Sequence, residues 1–71
     1  MPEEIRAHIT GVVFQIPTKP GDTVNAGDAV IVLESMKMEI PVVAETAGTV
    51  QEMRVNEGDV VQEGDVIAVI A

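Results

Sequence analysis

Apolar residues along this chain fall in short β-branched runs that are broken by turn signals every six to ten residues, and no helical spacing persists. Residues 5–9 and 42–44 read as short strands, each followed by a glycine, Gly11 or Gly48, placed as at a bulge or sharp bend. Strands over Val12–Ile16 and Thr49–Val55 come next. Two Gly-Asp steps then follow in each half, Gly21-Asp22 and Gly27-Asp28 in the first, Gly58-Asp59 and Gly64-Asp65 in the second. Glycine tolerates positive φ and aspartate bonds its own nearby backbone, so each step predicts a turn. Only a very short strand fits between paired turns, at Val24 or at Val60-Val61. Dense apolar runs, Val30–Leu33 and Val66–Ile70, close the halves as central strands.

The same residues recur at an offset of 37. All six glycines pair with one another at that offset, and so do all four aspartates. Ala7 matches Ala44, Val13 matches Val50, Val24 matches Val61, and Val32 matches Val69. Two copies of one unit, about 5–34 and 40–71, therefore build a single domain over residues 1–71. Many short strands with regular turn signals predict an all-β sandwich or barrel with an approximate two-fold axis. Val, Ile, Leu and Phe14 are expected between the units.

The segment Glu34-Ser35-Met36-Lys37-Met38-Glu39 joins the copies, and its counterpart would lie beyond Ala71. It links two strands as a hairpin. By the two-fold argument this hairpin lies at the end of the domain opposite the termini. It lacks the Gly, Asn, Asp and Pro usual in tight turns. One reading is an ordinary polar turn whose methionines fold back on the core. The other takes an exposed Lys37 at the one asymmetric joint as the functional group.

Composition narrows the choice. A 71-residue chain has a thin core, with no room for a deep cleft. Twelve acids against four bases give a net charge of −8, which opposes nucleic-acid binding and favours solubility. With one serine, one histidine and no cysteine, neither a nucleophilic triad nor a metal-ligand set can be assembled. An enzyme is thereby disfavoured. The acidic N-terminus is unlike a signal peptide, and no apolar run approaches membrane-spanning length, so a soluble, cytoplasmic and monomeric protein is expected. His8 reads as structural, and the Gly-Asp steps lack the dense oxygen array of a calcium site.

Glu34-Ser35-Met36-Lys37-Met38-Glu39 on this duplicated scaffold closely resembles the attachment motif of biotinyl domains, within the biotin/lipoyl attachment family. It is most similar to the small stand-alone carriers. The resemblance implies a flattened barrel-sandwich hybrid of two four-stranded antiparallel sheets. It also implies biotin on the Lys37 ε-amine, with Met36 and Met38 recognised by a biotin protein ligase and Glu34, Ser35 and Glu39 flanking the motif. The partners it implies are a biotin carboxylase and a carboxyltransferase, between which the swinging biotin carries a carboxyl group. Two features depart from many family members. Ala7-His8-Ile9-Thr10-Gly11 stands where prolines often precede the first bend, and Phe14 runs on to Gly21 without an inserted thumb.

Two alternatives share the fold. A lipoyl carrier of a 2-oxo-acid dehydrogenase or glycine cleavage system also modifies a hairpin lysine, but usually has a non-methionine residue before it. An unmodified interaction module needs no hairpin lysine at all.

Overall fold

A computed structural model describes residues 2–71, as eight strands with no helix among them. The strands are β1 (Glu3–Arg6), β2 (Gly11–Gln15), β3 (Thr23–Val24), β4 (Ala29–Ser35), β5 (Met38–Val43), β6 (Gly48–Met53), β7 (Val60–Val61) and β8 (Val66–Ile70). They form two four-stranded antiparallel sheets, ordered β1-β8-β6-β3 and β5-β4-β2-β7. Advancing each strand by one copy of the repeat turns the first order into the second, which is the pseudo-two-fold. Each sheet therefore holds two strands from each copy.

Alternation along the strands points Ile5, Val13, Val24, Ile31, Leu33, Val42, Val50, Val61, Ala68 and Ile70 into one shared apolar layer, and Val30 and Ile67 are buried with them. No polar or charged side chain among the described residues is buried. The core is thus uniformly apolar, and any chemistry must lie on the surface.

The four Gly-Asp steps make four copies of one turn. Gly21, Gly27, Gly58 and Gly64 have φ of 97, 92, 92 and 93°. In each, the aspartate N–H donates to the carbonyl three residues back, at 3.0–3.1 Å. Its carboxylate accepts from that same residue's N–H: Lys19 to Asp22, Asn25 to Asp28, Asn56 to Asp59 and Gln62 to Asp65, at 2.8–3.0 Å. A positive-φ glycine at the third position is the type II pattern, which an L side chain there would strain. Each turn then bonds across to the other copy. The Gly21 N–H donates to the Val50 carbonyl and the Asp22 carbonyl accepts from the Val50 N–H, both at 2.8 Å. The turns at Gly27, Gly58 and Gly64 do the same with Ala44, Val13 and Ala7.

The molecule is elongated, 32 × 17 × 17 Å. From its start at Met38, β5 runs away from the β4–β5 hairpin, and the chain continues to Gly48, which abuts Ala71. The hairpin and the termini accordingly occupy opposite ends. Pro41 sits in β5, an edge strand, where its missing N–H costs no ladder bond to a further neighbour.

Several expectations need correction. The first strand of each copy starts earlier than its apolar run, at Glu3 and Met38, and the second stops at Gln15 and Met53. Phe14 lies outside the core, 41% exposed. The register of β2 on β4 slips between Val13 and Gln15, so Phe14 and Gln15 together oppose Val32. With Val13 pointing into the core, strand alternation turns Phe14 outward, and the bulge leaves Gln15 exposed beside it instead of returning it inward.

Leu33 is fully buried, paired with Val13 on one side and Ile40 on the other. Leu33→Ala is expected to cost about 2–5 kcal/mol through lost burial and a residual cavity. Urea unfolding would show this as a lowered midpoint with an unchanged slope.

Candidate functional site

Strands β4 and β5 stay paired out to Ser35 and Met38, so the connection between them is only Met36-Lys37. Their φ values are 52 and 65°, the double left-handed geometry of a type I′ hairpin turn. Asn-Gly is the usual solution to this geometry, because an L side chain in the left-handed region costs about 1–2 kcal/mol. Met-Lys occupies it here because the flanking register, Leu33 on Ile40 and Val32 on Pro41, leaves the link no other length. The turn is strained, and the hairpin beneath it holds the strain.

Alternation sorts the six motif residues. Ser35 and Met38 continue the inward faces of β4 and β5, beyond Leu33 and Ile40 and past the end of the core. Glu34 and Glu39 face each other on the outer side. Met36 is 90% and Met38 62% exposed, so neither methionine folds back onto the core. Lys37 projects from the tip, exposed. Among the described residues the ion pairs are Arg6–Glu4 and Arg54–Glu52, and Lys37 takes part in neither. Nor does its side chain donate a hydrogen bond to any described residue. The six positions singled out in the sequence thus lie together on one solvated hairpin.

One supporting residue was legible only as a bend. Gly11 opens β2 at the root of the hairpin, and a Cβ there would sit 2.7 Å from the Glu34 carbonyl oxygen and 3.5 Å from Ser35 Cβ. Its equivalent Gly48 meets the Ala71 carbonyl oxygen at 2.5 Å. The glycines are needed for close backbone approach, one at each end of the domain. His8 is exposed, and each Gly-Asp aspartate is already engaged in its own turn. Among the described residues, no group of three or more His, Cys, Asp or Glu is placed to hold a metal ion. Nor, among the described residues, is any helix long and apolar enough to cross a membrane.

An exposed amine without an ion-pair partner, on a rigid tip, suits covalent attachment of an acyl group rather than enclosure of a ligand. The comparisons with known proteins agree in kind. Residues 1–70 match the biotin/lipoyl family described as "Biotin-requiring enzyme". The biotinylated protein TB7.3 homolog of Mycobacterium leprae is 49% identical over 71 residues, all of both chains. The biotin/lipoyl attachment protein of Bacillus subtilis is 44% identical over 63 residues, 89% of this chain and 86% of its own. The crystal structure of Kluyveromyces lactis urea carboxylase contains the fold at a TM-score of 0.95 and 38% identity, over 100% of this chain and 6% of that one. With the match spanning nearly every residue and the sheets closing as described, this chain belongs to the biotin/lipoyl attachment family.

Proposed function

We propose that this chain is a biotin carboxyl carrier in which the two repeats act as one non-catalytic unit and Lys37 bears the biotin. The observation that carries the proposal is the Met36-Lys37 turn. It is exposed, strained, and located at the one joint the duplicated fold does not require. The biotinylated relative and the carboxylase neighbour support biotin as the group.

A lysine in water is almost wholly ammonium at neutral pH, so its acylation requires an activated donor from a ligase. The deprotonated Lys37 Nζ attacks the acyl carbon of biotinyl adenylate; the amide bond forms, AMP leaves, and the amine gives up its second proton. Met36 and Met38 keep the tip free of a carboxylate that would pair with the ammonium and retain its proton. Biotin, once attached, supplies the ring that takes up a carboxyl group at a biotin carboxylase and yields it at a carboxyltransferase. The contribution of this chain is a tether that raises the local concentration of that ring at both enzymes. The rigid hairpin and the paired strands below it present the arm away from the termini.

Lipoylation of the same lysine is the second reading, kept by the biotin/lipoyl name of the Bacillus subtilis relative. Incubation with biotin, ATP and a biotin protein ligase, read by intact mass and streptavidin capture, separates the two. One biotinyl increment is expected on wild type and on Lys19→Ala, and none on Lys37→Ala. No increment on wild type, with the ligase active on another acceptor, would overturn the biotin assignment. Lipoate incorporation would then be measured on the same lysine.

Met36→Glu or Met38→Glu is expected to slow incorporation at least several-fold at neutral pH, with the difference narrowing as pH rises. An unchanged rate would refute the role given to the methionines. The paired glycines separate site from scaffold. Gly11→Ala and Gly48→Ala both force a backbone shift and are each expected to cost about 1–3 kcal/mol in thermal unfolding. Only Gly11→Ala, which displaces the hairpin root, should also slow incorporation at a temperature where both variants remain folded.

A further inference from the structure

The pseudo-two-fold supplies an internal control for every surface residue. On the outer face of the hairpin-bearing sheet, Val12 of β2 lies opposite Val60 of β7. They are 40% and 70% exposed. Phe14, two residues on from Val12 and on the same face of β2, is also exposed. At the equivalent positions of the other sheet stand Thr49, Thr23 and Gln51. Thr23 and Thr49 pair with each other in the same way, and β6 has the same register slip on β8 between Val50 and Glu52. The backbone is duplicated, so it does not call for apolar side chains at one set of positions and polar ones at the other. The remainder of the faces diverges likewise. Arg6–Glu4 and Arg54–Glu52 ion pairs, at 2.7 and 2.6 Å, flank Val69 on one sheet. Pro41, Val43, Gln15 and Pro17 take those four charged positions on the other.

Val12 also lies directly opposite Glu34, which lies opposite Glu39. One row across the sheet thus reads Glu39, Glu34, Val12, Val60. Two glutamates directly opposed across strands repel, at a cost that a basic partner group would relieve. With strands about 4.8 Å apart and about 3.3 Å per residue, the apolar part of this row lies about 10–15 Å from the Lys37 Cα.

Resting on the carrier reading above, we propose that Val12, Phe14 and Val60, with Glu34 and Glu39, form the docking surface for the biotin protein ligase, which would present apolar side chains rimmed by Lys or Arg. The enzyme that acylates Lys37 must bring a reacting carbonyl to about 3–3.5 Å from Nζ. Its walls must therefore surround the tip and overlie the adjoining row. Later carboxyl transfers take place at the far end of the arm and impose no such closeness. Phe14 has the size and exposure of an interface anchor. A second copy of this chain is disfavoured as the occupant, because a net charge of −8 on each copy repels and Glu34 and Glu39 would border the contact.

The fold itself specifies the test variant, Val12→Thr with Phe14→Gln and Val60→Thr, which places on this sheet the residues its twin already carries. Circular dichroism and thermal unfolding should match wild type. In steady-state biotin incorporation, KM for the carrier is expected to rise tenfold or more with kcat within about twofold, and direct ligase binding should weaken in parallel. Val43→Thr, an exposed apolar position at the far end of the same sheet, should change neither. A folded triple variant with wild-type KM, or a fall confined to kcat, would overturn the docking proposal while leaving the carrier reading intact. Sedimentation that revealed a dimer abolished by the triple variant would assign the face to a second copy and overturn it as well. Wild type that takes no biotin from an active ligase would remove both the carrier reading and this proposal.

Discussion

The fold depends on a reciprocal exchange of backbone hydrogen bonds between its two copies. Every Gly-Asp turn uses its glycine N–H and aspartate carbonyl to grip one buried residue of the opposite copy: Val50, Ala44, Val13 or Ala7. Buried backbone groups left unpaired would each cost about 1–3 kcal/mol, so these residues can be buried only when the other copy's turn is in place. Neither copy can complete its own strands. The mixed composition of both sheets says the same at the level of topology. The two glycine close approaches finish the closure, Gly11 against Glu34 and Gly48 against Ala71.

That closure explains how a strained turn can be held at the tip. The left-handed Met36 and Lys37 cost about 1–2 kcal/mol each in isolation. The β4–β5 ladder below them is anchored by Leu33, Ile31 and Val42, all buried. A longer, relaxed loop would save the strain and let the lysine wander. The short link instead fixes the direction in which Lys37 leaves the domain, and a fixed direction is what a tether needs if its end is to reach separate partners.

How much of this could be read from the chain follows from what each pattern encodes. The 37-residue offset carried the strand order of both copies, because Gly and Asp recur where φ and turn bonding demand them. The hairpin was legible as the one unpaired segment, yet its two-residue length was not. Met-Lys has no intrinsic preference for a type I′ turn, and register alone imposes it. Phe14 was placed in the core by its apolar character, yet Val13 beside it points inward and alternation alone turns Phe14 outward. The bulge, which leaves Gln15 exposed next to it, is a property of two strands together and invisible in either one.

Duplication also sharpens what the exposed residues mean. In an ordinary domain an exposed valine or phenylalanine is unremarkable, since much of any protein surface is apolar. Here each such position has a twin with the same backbone, the same neighbouring strands and the same solvent access. Where the twins agree, as at Val13 and Val50 or Gly21 and Gly58, the fold is sufficient cause. Where they differ in one direction across a whole face, threonines and ion pairs on one sheet against Val12, Phe14 and Val60 on the other, the fold is not sufficient cause. The differing face belongs to the sheet that contains both strands of the Lys37 hairpin. Hairpin and apolar face therefore share one origin in the broken symmetry. A two-fold scaffold has two equivalent ends, and it becomes a carrier only by marking one of them.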